Sequence, residues 1–260
     1  EIIIKAVEAK KNILCEKPIA TNYDDTIKIF EKLDKSEVFF LEAIAYRSHE
    51  QTKFVVSKII DGEIGELKSV ESTFGYFTKK INPKSRLYNP SLGGGAILDV
   101  GCYPVSFSTL LANLDQTNLS EPELLDVSGS ICKTSVDDIA YASLVFEKKI
   151  TAKIGAAIRL QMKNQTSIIG TKGSILINDP WLPNKKSTIE ISSKQSTYKS
   201  LINSELDIYA NQINSVNKHI LDGKKEADFP SMKWKDTINN MLIIDKWKKK
   251  LIEINNEKKY

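Results

Sequence analysis

Asp99 and Tyr103 stand four residues apart in GGGAILDVGCYP (93–104), three glycines followed by an apolar run. Positions i and i+4 of a helix share one side, so this spacing would set a carboxylate acceptor beside a phenol. Gly93, Gly94 and Gly95 lack Cβ atoms and permit tight turning or close approach of the backbone to a ligand. A phenol with a pKa near 10 is a poor proton donor or base at neutral pH unless a cation favours its ionised form. Lys17, in Glu16-Lys17-Pro18, is the cation the sequence offers. At roughly 4 Å and an effective dielectric near 20 the attraction is on the order of 4 kcal/mol before desolvation, enough to lower a pKa by a unit or more. The trio suits proton transfer at a hydroxyl or carbonyl, with Asp99 orienting its partners or a substrate hydroxyl. The same spacing also fits a buried core tyrosine and a helix-capping aspartate.

Other candidates are weaker. Arg47, beside Tyr46 in EAIAYRSHEQ, falls just past a predicted strand and could bind an amide, ribose or carboxylate, although a surface ion pair is the commoner fate of a lone arginine. His49 opens a helix and Cys102 has no histidine beside it in sequence, which makes the first a weak general base and the second a small packed side chain. Arg86, in KSRLYNP before the glycines, could reach polar groups of a substrate or simply face solvent. Two histidines and three scattered cysteines offer no close metal-ligand spacing, so no metal is expected.

The elements that must position these residues fall into two textures. EIIIKAVEAK reads as the end of a helix, NILCE as a short parallel strand, TNYDDTIKIFEKL as a capped helix, EVFFLEA (37–43) as a second strand and HEQTKFVVSKIIDGEIG as a helix ending near Gly62. Such strand–helix alternation predicts an α/β layer whose ligands bind at the carboxyl ends of the strands, where Lys17 and Arg47 lie. From Leu67 consecutive strands replace it: LKSVESTFGYF alternates as a strand, and after the glycines 124–133, 138–147, 150–160 and 165–177, turning at Lys172-Gly173, predict an antiparallel meander. A sheet covered on one side would leave its other face for a partner subunit. Leu206, Tyr209, Ile213, Val216 and Ile220 mark one closing helix, and MKWKDTINNMLIIDKWKKKLIEI a second. The expected fold class is thus α/β, the remainder of a Rossmann domain (1–42) followed by an α+β domain with an open, mostly antiparallel sheet (43–260).

Composition narrows the rest. The 260 residues are 41% hydrophobic and carry 37 basic against 33 acidic side chains, a net charge of +4 that argues against nucleic acid as a partner. No apolar stretch in the sequence approaches the roughly 20 residues of a membrane span, and the odd cysteine count points to a reducing cytoplasm. The chain opens at Glu1, already inside an apolar pattern, and so reads as a fragment whose companion strands lie upstream.

CEKPIATN, EAIAYRSHEQ and GGGAILDVGCYPVS, in this order and spacing, closely resemble the Gfo/Idh/MocA family, named for glucose-fructose oxidoreductase, inositol dehydrogenase and rhizopine catabolism. The resemblance covers essentially the whole chain. It implies a Rossmann domain binding NAD or NADP and a C-terminal domain whose sheet commonly forms an oligomer interface. It implies that Glu16, Lys17 and Pro18 lie near the nicotinamide, with Arg47 close to the cofactor. Asp99 and Tyr103 match the family's D-x-G-x-[HY] element, in which the last residue exchanges the proton of the substrate hydroxyl while hydride moves to or from the cofactor. Tyr103 replaces the histidine of inositol-dehydrogenase-like members, which leans toward the glucose-fructose oxidoreductase and dihydrodiol dehydrogenase branch. Glu50 replaces a common proline, and no G-x-G-x-x-G is present, so that fingerprint would lie before Glu1.

The expected activity is therefore oxidation of a secondary alcohol on a sugar, cyclitol or diol, or reduction of the matching ketone. Catalysis would rest on Lys17, Asp99 and Tyr103, and substrate binding on Arg86, Asp99 and Tyr103. The rival expectations are glycoside cleavage through transient oxidation by tightly held NAD, and a non-catalytic dinucleotide-sensing or oligomerisation module.

Overall fold

In the computed structural model, which describes residues 1–116, 121–194 and 196–257, β1 (Ile13–Cys15) and β2 (Phe40–Glu42) pair in parallel, with Cys15 opposite Glu42. The crossover between them is α2 (Tyr23–Asp34), started by the Asn22 side chain accepting from the Asp25 amide at 2.8 Å. Asp24 and Asp25 complement the dipole of its first turn, and Ile29, Phe30 and Leu33 face the core. α1 (Ile2–Glu8) precedes β1, and α3 (Glu50–Ile60) follows β2 after a 3₁₀ turn at Ala45–Ser48. The carboxyl ends of β1 and β2 thus open onto the Glu16–Pro18 turn and the Ala45–Ser48 turn.

The rest of the chain is organised by an eight-stranded sheet. Its strands are β3 (Leu67–Gly75), β4 (Glu123–Ile131), β5 (Asp137–Val145), β6 (Thr151–Ala157), β7 (Thr166–Gly170), β8 (Gly173–Ile177), β9 (Lys186–Ser193) and β10 (Thr197–Asn203), in the order β10-β9-β8-β7-β3-β6-β5-β4. The expected meander is broken: β3 inserts between β6, to which it is parallel, and β7, to which it is antiparallel. This puts the carboxyl ends of β3 and β6 together, beside the glycine-rich segment. The hairpin β9–β10 was not anticipated, although Ile189 and Ile191 alternate into the core. Its serine- and lysine-rich outer face weakens the apolar signal on which strand prediction rests.

One face of the sheet is covered by α4 (Cys102–Ala112) and α6 (Trp234–Glu257), while α5 (Ile208–Leu221) packs on the 3₁₀ turn at Ala45–Ser48. Trp247 of α6 is fully buried and its indole donates to the Tyr141 carbonyl at 3.2 Å. Val105, Phe107, Leu110 and Leu111 bury α4, each contributing roughly 1.5–3 kcal/mol of transfer free energy. Against the expectation drawn from the sequence, the helical stretch Pro90–Ala112 is long and apolar enough to cross a membrane by length and composition. Of its apolar 18-residue window, 89% is buried within the protein, as in a core helix.

Candidate active site

Lys17 is brought to Asp99 by the turn after β1. Its ammonium donates to the Asp99 main-chain carbonyl and lies 3.7 Å from Asp99 Oδ1. The Asp99 carboxylate takes two further donors, the Tyr76 hydroxyl on Oδ2 at 2.6 Å and Arg86 Nη2 on Oδ1 at 2.6 Å. Burial would raise the pKa of Asp99, but Lys17, the Tyr76 hydroxyl and Arg86 outweigh it and hold the group below the ordinary carboxylate value. Asp99 is therefore an ionised hub that fixes Lys17, Tyr76 and Arg86 relative to one another. Tyr76 had no signal in the sequence, since no spacing rule reports a contact between a strand end and a helix start.

The helix carrying Asp99 begins with a wide π turn over Ile97–Gly101 and continues as α4. That turn displaces the i,i+4 register assumed for Asp99 and Tyr103, yet both still meet Lys17. The glycines serve the fold more than a ligand. Gly95 has φ +116°, and a Cβ there would fall inside the carboxylate of Asp137, whose Oδ2 accepts from the Ile97 amide at 2.6 Å. A Cβ on Gly94 would meet the Leu87 carbonyl at 2.8 Å. The close approach the glycines allow is thus to the protein's own backbone and to Asp137, which seats the start of the helix.

Tyr103 is clamped by aromatic neighbours. Its ring meets Phe74 edge-on at 5.1 Å, Tyr46 at 5.9 Å and Trp181 at 6.1 Å, and the Tyr46 hydroxyl donates to its main-chain carbonyl at 3.0 Å. The Tyr103 hydroxyl itself has no hydrogen-bond partner among the described residues. The expectation that Lys17 lowers the pKa of Tyr103 fails. The ammonium sits 5.2 Å from the ring centroid, over the face, while burial above all, with the Glu16 charge adding to it, pushes the phenol above its ordinary value. Tyr103 is a neutral phenol held ready to donate.

Arg47 stands just past the carboxyl end of β2, and its guanidinium is taken up by the protein's own groups. It is 1% exposed, and its guanidinium donates to the Pro230 carbonyl at 2.5 Å, to Ser106 Oγ at 3.0 Å and to Asp236 at 2.9 Å, tying the Ala45–Ser48 turn to α4 and α6. His49 is fully buried, and its Nδ1 caps α3 by accepting from the Gln51 amide at 3.1 Å. Cys102 is buried, and burial pushes its thiol up to about 12, which suits packing and not nucleophilic chemistry. Glu16, exposed, and Pro18 flank Lys17 in the turn. Among the described residues no group of three or more histidine, cysteine, aspartate or glutamate side chains could hold a metal ion.

Residues 1–44 match the model of an oxidoreductase family with an NAD-binding Rossmann fold, and residues 55–176 match the GFO/IDH/MocA C-terminal domain. The chain is 32% identical over 184 residues to trans-1,2-dihydrobenzene-1,2-diol dehydrogenase of Xenopus tropicalis, covering 70% of this chain and 53% of that protein. It is 30% identical over 182 residues to an uncharacterised oxidoreductase of Rhizobium meliloti, covering 69% and 52%. The chain thus spans about half the length of these relatives. In fold it is similar to a 3-ketoreductase of Actinomadura kijaniata solved with NADP and TDP-benzene (TM-score 0.80, 21% identity, 94% of this chain and 72% of that one). It is also similar to an aldose-aldose oxidoreductase of Caulobacter crescentus complexed with glycerol (TM-score 0.82, 20% identity, 96% and 73%). The turn bearing Lys17 falls under the first family model and the segment bearing Asp99 and Tyr103 under the second, and the chain belongs to the Gfo/Idh/MocA family of oxidoreductases.

Proposed function

We propose that the protein is an NAD(P)-dependent oxidoreductase that interconverts a secondary alcohol and a ketone on a sugar, cyclitol or related diol. The observation that carries this reading is the free, clamped hydroxyl of Tyr103 beside Lys17 and the ionised Asp99. The relatives named dihydrodiol dehydrogenases and the fold shared with sugar-acting reductases support the substrate class.

The residues present fit the reacting end of a dinucleotide. Glu16, Lys17 and Pro18 form the turn at the carboxyl end of a parallel strand, the edge where open α/β sheets take such ligands. A bound nicotinamide supplies the hydride acceptor or donor. Tyr103 donates a hydrogen bond to the substrate oxygen and passes its proton in the ketone-reducing direction. Lys17 places a positive charge beside that oxygen, Asp99 fixes Lys17 and Arg86, and the Phe74, Tyr46 and Trp181 rings exclude water from the phenol.

The full-length protein, given NAD or NADP with a panel of polyols and sugars, should change the nicotinamide absorbance. Tyr103→Phe should lower turnover by about 10²- to 10⁴-fold. Absence of any alcohol-dependent reduction and of any ketone-dependent oxidation would sink the reading.

Self-association through the uncovered sheet face belongs to the same reading. Tyr141 and Ile169 stand exposed there, and a sheet covered on one side leaves the other for a second copy. Tyr141→Glu should then reduce the sedimentation coefficient. Three free thiols suit a cytoplasmic setting.

A further inference from the structure

We infer that the site takes an anionic sugar or polyol, one that carries a phosphate or carboxylate group away from the reacting carbon. The inference rests on the hydride-transfer reading for the reaction and on a separate observation for the charge.

Two loops continue the carboxyl ends of the parallel pair β3 and β6, and the first reaches Asp99 through Tyr76 and Arg86. The first, 76–88, carries Lys79, Lys80, Lys84 and Arg86; the second, 158–165, carries Arg159 and Lys163. No acidic residue occurs between Glu71 and Asp99, and none between Glu147 and Asp179. Lys79, Lys80, Lys84 and Lys163 are exposed and form no ion pair among the described residues, and Arg159 has only main-chain acceptors. Arg86 is half-engaged: Nη2 is on Asp99 while its remaining N–H groups have no partner, and its side chain is 57% exposed.

These cations stand on a tethered backbone. Arg159 donates to the Thr78 carbonyl and, at 3.2 Å, to that of Lys79, and its guanidinium lies 4.9 Å over the Phe77 ring. The Thr78 hydroxyl donates to the Ile158 carbonyl at 2.7 Å, and the Thr78 and Tyr76 amides bond β6 and the residue after it at 3.0 Å. Gathering like charges on fixed loops costs repulsion that a bound anion relieves, and a single-sign rim raises the local concentration of oppositely charged ligands. A guanidinium with free N–H groups next to the catalytic carboxylate is the planar donor a phosphate or carboxylate prefers. The strip is carried by the loops of the eight-stranded sheet and not by the turns of the β1–β2 pair at which a dinucleotide would lie, and the charge it reads is assigned to the substrate and not to the cofactor phosphates.

The test compares neutral and charged members of matched pairs, glucose against glucose 6-phosphate and glucuronate, and glycerol against glycerol 3-phosphate. The full-length enzyme is assayed with NAD and NADP at about 20 and about 200 mM sodium chloride. The charged member should be favoured by about 10-fold or more in kcat/KM at low salt, and less at high salt. The triple variant Lys79→Glu/Lys80→Glu/Lys84→Glu should lose that preference and keep its kcat on neutral substrates. Equal kcat/KM within each pair, or a preference that survives in the triple variant, overturns the inference while the hydride-transfer reading stands. Weaker cofactor binding in the triple variant with substrate preference intact assigns the strip to cofactor phosphates and also overturns it. Should no pair react, calorimetric titration with the same phosphates decides. Tighter binding to the wild type than to the triple variant upholds the anion site with the hydride reading lost, and equal binding removes both.

Discussion

The Lys17 ammonium lies over the face of the Tyr103 ring, 5.2 Å from its centroid, and not at the phenolic oxygen. A cation there is attracted by the ring quadrupole but stabilises a phenoxide less than one at the oxygen would. The two residues are therefore held together as a clamped phenol and a nearby charge. Lys17→Met removes both the contact with Tyr103 and the donor to the Asp99 carbonyl, and kcat should fall by about 10²-fold or more with a smaller change in KM. Lys17→Arg keeps the charge on a larger, planar head and should recover only part of the loss; full recovery would show that charge alone suffices.

Tyr103 gives the second prediction. Because burial raises its pKa, the phenol stays protonated across the working range. In the ketone-reducing direction kcat should show no inflection from Tyr103 between about pH 6 and pH 9. An inflection in that range that disappears in Tyr103→Phe would show that a cation reaches the oxygen in the working complex.

The meeting of Lys17 with Asp99 and Tyr103 was foreshadowed by local rules, the end of a strand and the start of a helix, while the catalytic role expected of them came from the family motifs. Parallel β1–β2 with its crossover was legible through the same local rules. Tyr76, Trp181 and Phe74 were not, because their contacts with Asp99 and Tyr103 join segments far apart in the chain. The insertion of β3 between β6 and β7 was equally hidden, since periodicity identifies strands but not their neighbours. Arg47 lay at the right edge, yet its direction depends on Asp236 and Pro230, late in the sequence.

That buried arginine is a structural tie. Arg47→Met leaves Asp236 without its ion-pair partner and empties three hydrogen-bond positions, a loss of about 3–5 kcal/mol. The melting temperature should drop by about 10 °C, while the folded fraction at low temperature binds NAD(P) as before. Unchanged stability with weakened cofactor binding would return Arg47 to the cofactor edge.

Asp137 sets a pH dependence of stability. Burial pushes its pKa up to about 6 against an ordinary 3.8, with the Ile97 amide opposing the shift. The folded state then holds a proton that the unfolded state has released, so this group's stabilisation is complete below about pH 4 and is lost as pH rises through 6. Asp137→Asn retains an acceptor for the Ile97 amide and cannot ionise. Its melting temperature should therefore decline less than that of the wild type between pH 4 and pH 7; parallel curves would contradict the assignment.

Glu42 lies at the end of β2 behind Lys17, 1% exposed, with Oε1 accepting from the Ile19 amide at 3.1 Å and Oε2 without a hydrogen-bond partner. Burial pushes its carboxyl up to about 7, opposed by the Thr237 hydroxyl, the Ile19 amide, Arg47 and Lys17; the thiols of Cys15 and Cys102 also feel its charge. Below its midpoint Glu42 is neutral and acts as an acceptor for the turn that carries Lys17. Above it, a buried negative charge competes with Asp99 for the ammonium and draws it from the Tyr103 face. Glu42→Gln keeps the acceptor and never charges. Wild type and variant should match in kcat below about pH 6 and separate above about pH 8, where the wild type falls and the variant does not. A constant ratio across the range would assign Glu42 a packing role alone, since a packing defect has no reason to follow one carboxyl's titration.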